Sequence, residues 1–209
     1  SRLEDGKKIK KKTKILVLEG NARDILSIER TALNLLQHLS GISTLTLRYF
    51  KRINSSKSIL LDTRKTTPGL RTLEKYATYI GGAKNHRLNL AERFMIKDNH
   101  LLLNSKIFEK IRKMQTGKKN TVVMECDNLY QVKKAILLKI KHILLDNMDI
   151  KKIKEACKLI GKRAKIEVSG GVNLQNIKKI SNIGVNFISV GSITQSASAA
   201  KICLELKKI

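Results

Sequence analysis

Proline occurs once in 209 residues, at Pro68, tryptophan is absent, and aromatic side chains make up only 4% of the chain. No proline-rich or low-complexity linker therefore divides the sequence. Cys126, Cys157 and Cys203 stand far apart with no C-x-x-C pair, which disfavours a disulfide framework or a cysteine zinc site. They are expected to be reduced thiols packed in or near a core. No apolar run approaches the roughly 18 residues that span a bilayer. The basic lead-in Lys7–Lys14 is followed by only a short apolar stretch, Ile15–Leu18, too brief for a signal peptide. Membrane and secretory classes are disfavoured, and a cytoplasmic location is expected.

Acids are scarce too: 17 Asp and Glu face 43 Lys and Arg, for a formal net charge of +26. Such a balance invites a nucleic-acid reading. The bases, however, are mostly lysines scattered over every predicted helix, and few aromatics interleave them. They read as solvated faces that favour solubility and attract anions, and a nucleic-acid partner is disfavoured.

What is present is a hydrophobic fraction of 42%, enough for a core of one domain, and a regular alternation of short β-type runs with amphipathic helical segments. The strand runs are Ile59–Leu61, Phe94–Ile96, Thr121–Met124, Ile143–Leu145, Ile166–Val168 and Phe187–Val190. The helical segments between them are Leu73–Ile80, Ser105–Met114, Tyr130–Lys139, Ile150–Ile160 and Leu174–Ile183. Spacings of about 21–34 residues are those of βα units in a parallel sheet. The pattern predicts an α/β fold, an incomplete (β/α) barrel of parallel strands with a helical lead-in. An open doubly wound sheet is the alternative, but no G-x-G-x-x-G follows the first strand. The lead-in is expected to hold a short strand, Ile15–Glu19, a helix Ala22–Leu39 ending near Ser40-Gly41, and a second helix, Ser43–Ile53. A strand so early, with none before it, points to a front portion that is missing or borrowed.

Chemistry in such barrels collects at the carboxyl ends of the strands. The runs end in Asp62-Thr63-Arg64-Lys65, Lys97-Asp98-Asn99-His100, Glu125, Asp146-Asn147, Ser169-Gly170-Gly171 and Gly191-Ser192. Any one of these could be an ordinary turn. Together they set cations of the first two strands against carboxylates of the third and fourth. Ser169-Gly170-Gly171, with Asn173 as a helix N-cap, could cradle a phosphate through free N–H groups and the helix dipole, and Gly191-Ser192 could grip it from the other side. Glu125 and Asp146 near a phosphate could seat Mg²⁺, which takes one or two protein oxygens and the rest from substrate and water. The arginines and lysines imply a second, carboxylate-bearing substrate. The chemistry suggested is transfer from a phosphorylated sugar to an anionic acceptor. His38 and His142 are expected to be structural or exposed.

The stretches Glu29-Arg30-Thr31-Ala32-Leu33-Asn34, Asp62-Thr63-Arg64-Lys65-Thr66-Thr67-Pro68-Gly69, Asn85-His86-Arg87 and Ile96-Lys97-Asp98-Asn99-His100 resemble quinolinate phosphoribosyltransferases. Met124-Glu125-Cys126, Leu145-Asp146-Asn147, Ser169-Gly170-Gly171-Val172 and Ser189-Val190-Gly191-Ser192-Ile193-Thr194 continue the resemblance in order, over about residues 4–206. The resemblance implies transfer of phosphoribosyl from phosphoribosyl pyrophosphate to quinolinate with decarboxylation, giving nicotinate mononucleotide, pyrophosphate and CO₂ on the route to NAD. It implies that Arg64, His86, Arg87 and Lys97 hold quinolinate, with Arg30 reaching in from a neighbouring subunit. It assigns Lys65, Glu125, Asp146, Ser169, Gly170, Gly171, Gly191 and Ser192 to phosphoribosyl pyrophosphate. Lys65, Glu125 and Asp146 are the expected catalytic groups, with Mg²⁺ near Glu125 and Asp146, partly through water. It also implies a homodimer with a shared site, possibly assembled further. Residues 1–44 would be the remnant of an N-terminal open-faced sandwich plus the linking helix, and residues 45–209 the catalytic barrel.

The sequence departs from the family pattern at Ala83 and Asn89, where glycines are usual, at Val123 in place of Glu, at Ser198 in place of Pro and at Lys201 in place of Asp. Two other functions stay open on the residues alone: a related phosphoribosyltransferase with a different acceptor, and an inactive basic barrel that binds RNA.

Overall fold

The computed structural model describes residues 3–53, 55–88, 94–96 and 122–207. Six parallel strands, β1 (Ile59–Leu61), β2 (Met95–Ile96), β3 (Val123–Cys126), β4 (His142–Asp146), β5 (Lys165–Ser169) and β6 (Phe187–Ser189), form one sheet in the order β1-β6-β5-β4-β3-β2. From β2 to β6 each strand lies beside its neighbour in sequence, and β1 lies beside β6 rather than β2. A doubly wound sheet would reverse direction part-way; a barrel runs round in one sense, as here. On the side of β1 away from β6, Lys84 adds a single parallel bridge to Leu61.

Among the described residues six helices accompany the strands: α1 (Ala22–Ile53), α2 (Arg71–Ile80), α3 (Leu129–Leu137), α4 (Ile150–Ile160), α5 (Ile177–Ser181) and α6 (Ser192–Gln195). Side chains alternate across a strand, and one parity is uniformly apolar. Leu60, Met124, Cys126, Ile143, Leu145, Ile166, Val168 and Ile188 are all buried and join one core with Val132, Ala135, Ile153, Ala156, Ile160, Ile177 and Ile180 of the helices. The opposite parity faces into the barrel and carries Glu125, His142, Asp146, Glu167, Ser169 and Ser189. Interiors of such barrels are commonly layered with branched aliphatic residues, so this polar inner face needs its own account, given below.

Most predicted elements appear within a residue or two of their expected bounds. The exceptions are informative. Residues 15–19 form no strand, and Leu16, Val17 and Leu18 are exposed, because among the described residues no strand lies alongside. The two predicted lead-in helices are a single 32-residue helix that runs through Ser40-Gly41. Gly41 is there for close approach: a Cβ at this position would collide with the Ser198 carbonyl of the C-terminal tail. Strand β3 begins at Val123 and takes in Glu125, since its ladder with β4 continues to Cys126. The predicted helix over 174–183 shortens to the five residues of α5, preceded by a turn in which Asn173 Oδ1 accepts from Gln175 N (2.9 Å) and Asn176 N (3.1 Å). The Ser105–Met114 expectation lies outside the described residues. Cys126 is buried and Cys157 half-buried, and burial pushes their thiols up to about 12 and about 11. Cys203 is exposed rather than packed.

Replacing glycine by alanine inside a helix ordinarily stabilises by about 1 kcal/mol. Gly41→Ala should instead destabilise by about 1–3 kcal/mol, because the tail or α1 must shift to relieve the clash. Urea unfolding of the two proteins checks the sign.

Candidate active site

The registers stack the inner-face residues in tiers. Asp146 pairs with Ser169, and Glu125 pairs with Leu144, two residues before Asp146 on the same face. Strand geometry then places the Glu125 and Asp146 Cα atoms about 8 Å apart at the carboxyl rim. Beyond Ser169 the chain turns through Gly170 (φ +78°) and Gly171 (φ +62°), a left-handed pair that disfavours side chains. A Cβ on Gly170 would overlap the Asn147 amide, which donates through Nδ2 to Asp146 Oδ2 at 2.9 Å. The Asn147 N–H donates to the Ser169 carbonyl at 3.0 Å. Asp146, Asn147, Ser169 and Gly170 thus form one packed corner of the rim.

A second corner joins β1 to β6. The Thr194 hydroxyl donates to the Lys65 carbonyl (2.6 Å), and the Lys65 N–H donates to Thr63 Oγ1 (3.1 Å). A Cβ on Gly191 would lie 3.2 Å from Lys65 Cδ, so the lysine stem passes over the glycine. Ser192 Oγ lies 3.1 Å from Tyr49 Oη of α1, which fixes this hydroxyl from below. Lys65 is exposed, while Arg64 is half-buried, with a buried Nε that has no hydrogen-bond partner among the described residues. Such an N–H is an open donor for an anion at the rim.

The His86-Arg87 pair follows the Lys84 bridge and is held from two sides. On the outer side, the fully buried Asp62 accepts from Lys75 Nζ (2.6 Å), the His86 N–H (2.6 Å), Asn85 Nδ2 (2.8 Å) and Thr78 Oγ1 (3.0 Å). Asp62 stood among the polar strand ends in the sequence, yet it points away from the mouth and anchors α2. On the inner side, His86 Nε2 lies 3.3 Å from Glu167 Oε1. Glu167 is the residue the sequence reading missed. Fully buried within β5, it also accepts from Ser189 Oγ (2.5 Å) and His142 Nε2 (2.8 Å). Burial alone would push its carboxyl up, but the hydrogen bonds from His142, His86 and Ser189 hold it well below the usual carboxylate range. The signal was an acid between two apolar residues of a buried parallel strand, Ile166-Glu167-Val168, in a chain with few acids.

The structure therefore gathers Lys65, Glu125, Asp146, Ser169, Gly170, Gly171, Gly191 and Ser192 on one rim, with Arg64 at its edge and His86 reaching into the barrel. It does not bring Arg30 there. Arg30 is exposed on the first half of α1, near the exposed apolar residues Leu26, Ile28 and Leu36. Lys97 lies outside the described residues. The helix-dipole part of the phosphate expectation also weakens, since α5 and α6 have five and four residues; the glycine turns, rather than helix ends, supply N–H groups. Among the described residues no cluster of three His, Cys, Asp or Glu could cage a metal ion. Glu125 and Asp146 nevertheless offer hard carboxylate oxygens at the rim, the donor type that would suit Mg²⁺.

The model of the quinolinate phosphoribosyl transferase C-terminal domain matches residues 42–205, and that of the N-terminal domain of the same enzymes matches residues 1–40. The chain belongs to this family. A probable nicotinate-nucleotide pyrophosphorylase (carboxylating) of Synechocystis is 41% identical over 92% of this chain and 67% of its own length. The Mycobacterium leprae nicotinate-nucleotide pyrophosphorylase (carboxylating) is 35% identical over 98% of this chain and 74% of its own. The solved nicotinate-nucleotide pyrophosphorylase of Francisella tularensis superposes with a TM-score of 0.86 at 38% identity, covering 96% of this chain and 71% of that one. The two family domains meet at residue 41, inside α1, so a single helix joins them.

A buried carboxylate with a depressed folded pKa lends stability above its unfolded value, and that stability fades as pH falls towards the folded value. Wild-type protein should therefore lose stability as pH drops below about 4.3. Glu167→Gln should be less stable at pH 7 and show a shallower decline over that window. Urea midpoints from pH 7 to pH 3 check both statements.

Proposed function

We propose that this chain transfers the phosphoribosyl group of phosphoribosyl pyrophosphate to quinolinate with loss of CO₂, yielding nicotinate mononucleotide and pyrophosphate in NAD biosynthesis. The observation that carries the proposal is the single rim on which the Asp146–Ser169–Gly170 corner faces the Lys65–Gly191 corner, with Glu125 on the same inner face. Family membership names the substrates; the rim supplies groups that suit them.

The C1′–O bond to pyrophosphate breaks as the quinolinate nitrogen bonds to C1′. Positive charge builds on the ribose ring, and the fixed carboxylates of Glu125 and Asp146 stabilise it at the rim. Negative charge builds on the leaving group, beside Lys65. Mg²⁺, when bound, would offset charge on the pyrophosphate oxygens. The glycine turns at Gly170-Gly171 and Gly191, tight at Gly170 and Gly191, leave room for the backbone to approach the 5′-phosphate, and the Ser169 and Ser192 hydroxyls border it. Arg64, with its open Nε, and His86-Arg87 receive the two carboxylates of the acceptor, together with Lys97. Once the ring nitrogen is alkylated, the bond from C2 to its carboxylate breaks, CO₂ departs and C2 takes up a proton. Positioning two multiply charged anions against each other is the main demand on the protein, and the cation cluster meets it.

Arg30 completes the site from a second copy of this chain. Leu26, one helical turn before Arg30 on α1 and likewise exposed, belongs to the surface that the second copy covers.

Glu125→Ala and Asp146→Ala should each lower kcat for nicotinate mononucleotide formation by about two to three orders of magnitude while circular dichroism stays unchanged; near-normal turnover in both would refute these roles. Arg30→Ala and Glu125→Ala should be inactive apart and partly active when mixed, because one site in the mixed dimer draws on two intact residues. Absence of complementation in a verified mixed dimer would refute the shared site.

A further inference from the structure

The polar interior beneath the rim is not used by the chemistry above, and it has a specific geometry. Glu167 takes up three donors from three separate elements: His142 from β4, Ser189 from β6 and His86 from the segment after the Lys84 bridge. His86 Nδ1 accepts the Arg87 N–H at 2.9 Å, so that nitrogen carries no proton and Nε2 does. The imidazole is thus a rigid link between a buried carboxylate and the backbone of Arg87. The Arg87 guanidinium extends towards β2, with Nη2 3.5 Å from Met95 Sδ.

We propose that Glu167 is a positioning residue for the acceptor end of the site: by fixing the Nε2–H tautomer and the orientation of His86, it pre-aligns Arg87 for the acceptor's carboxylate. The proposal rests on the assignment of His86 and Arg87 to quinolinate made above. It also changes the part played by His86. With both ring nitrogens engaged inside the protein, His86 meets the acceptor with its ring and transmits alignment, while the charge comes from Arg64 and Arg87.

Other groups facing Glu167 do not substitute for it. Lys165, two residues earlier, lies with Nζ 5.9 Å from the centre of the Phe187 ring, and Phe187 stacks on His142 at 5.3 Å. These contacts brace His142 and leave the His86 ring to Glu167. Asp62 holds the same segment by its backbone and through α2, so it serves as a structural contrast.

The test measures quinolinate affinity by calorimetry, KM for phosphoribosyl pyrophosphate, and imidazole ¹⁵N shifts in wild type, Glu167→Gln, Ser189→Ala and Asp62→Asn, at a temperature where each is folded. Glu167→Gln cannot accept from His142 and His86 with both of its terminal atoms, so it should weaken quinolinate at least 10-fold. It should leave KM for phosphoribosyl pyrophosphate within twofold and shift His86 away from the pure Nε2–H tautomer. Ser189→Ala, which removes one donor and keeps the carboxylate, should move the same quantities in the same direction by a few-fold, and it carries the test if Glu167→Gln does not fold. Asp62→Asn, which loosens the backbone of the segment but leaves the ring contact with Glu167, should lower melting temperature and keep the His86 tautomer of wild type. An unchanged His86 tautomer, a quinolinate affinity within twofold of wild type, or equal losses for both substrates in Glu167→Gln would overturn the proposal. Wild-type protein that binds no quinolinate would instead refute the acceptor assigned above, and the imidazole spectra would then decide the Glu167–His86 link by themselves.

Discussion

An ionised carboxylate inside a barrel must be surrounded by donors, or it would take up a proton or draw in water. Glu167 is satisfied only when β4, β6 and the segment after the Lys84 bridge stand in their final positions, because each contributes one donor. The barrel core outside the sheet is ordinary close-packed aliphatic material and would tolerate exchange of similar volumes. The inner face is different: its groups are few, directional and mutually dependent. That dependence turns a parallel sheet, which merely brings strand ends to one rim, into a rim with fixed geometry.

Two clamps of unlike character meet on the segment Asn85-His86-Arg87. Asp62 works from the helix side, pairing with Lys75 and gripping the backbone at His86; Glu167 works from the barrel side through a ring. Between them the Asn85-His86-Arg87 segment has little freedom although it belongs to no regular element. The other rim corners are tied more lightly, by Thr194 to Lys65 and by Asn147 to Asp146 and Ser169. Rigid placement of the acceptor, with lighter restraint around the sugar phosphate, matches a reaction in which a flexible diphosphate ester must meet a flat dianion.

The strands and most helices were legible in the sequence because their apolar periodicity is local. Asp146, Ser169 and Gly191 were legible because they follow or end such runs, where a parallel barrel has its rim. Glu167 and His142 were not, since their meaning depends on partners at least 22 residues away in sequence, and nothing local distinguishes a satisfied interior acid from a surface one. Asp62 illustrates the converse: at a strand end, but of the outward parity, it anchors a helix. Gly41 read as a helix stop because glycine is a common terminator, whereas only the three-dimensional path of residues 196–200 shows that it permits a close crossing. The Arg30 assignment came from resemblance alone, and its placement on an exposed half-helix is what a residue serving a second copy would require.

The most direct measurement supplies purified protein with phosphoribosyl pyrophosphate, Mg²⁺ and quinolinate labelled with ¹³C in the 2-carboxylate, and counts products. A single rim that holds both anions for concerted use predicts labelled CO₂, pyrophosphate and nicotinate mononucleotide in equal amounts. Folded protein that forms none of them, or that releases pyrophosphate without labelled CO₂, would contradict it.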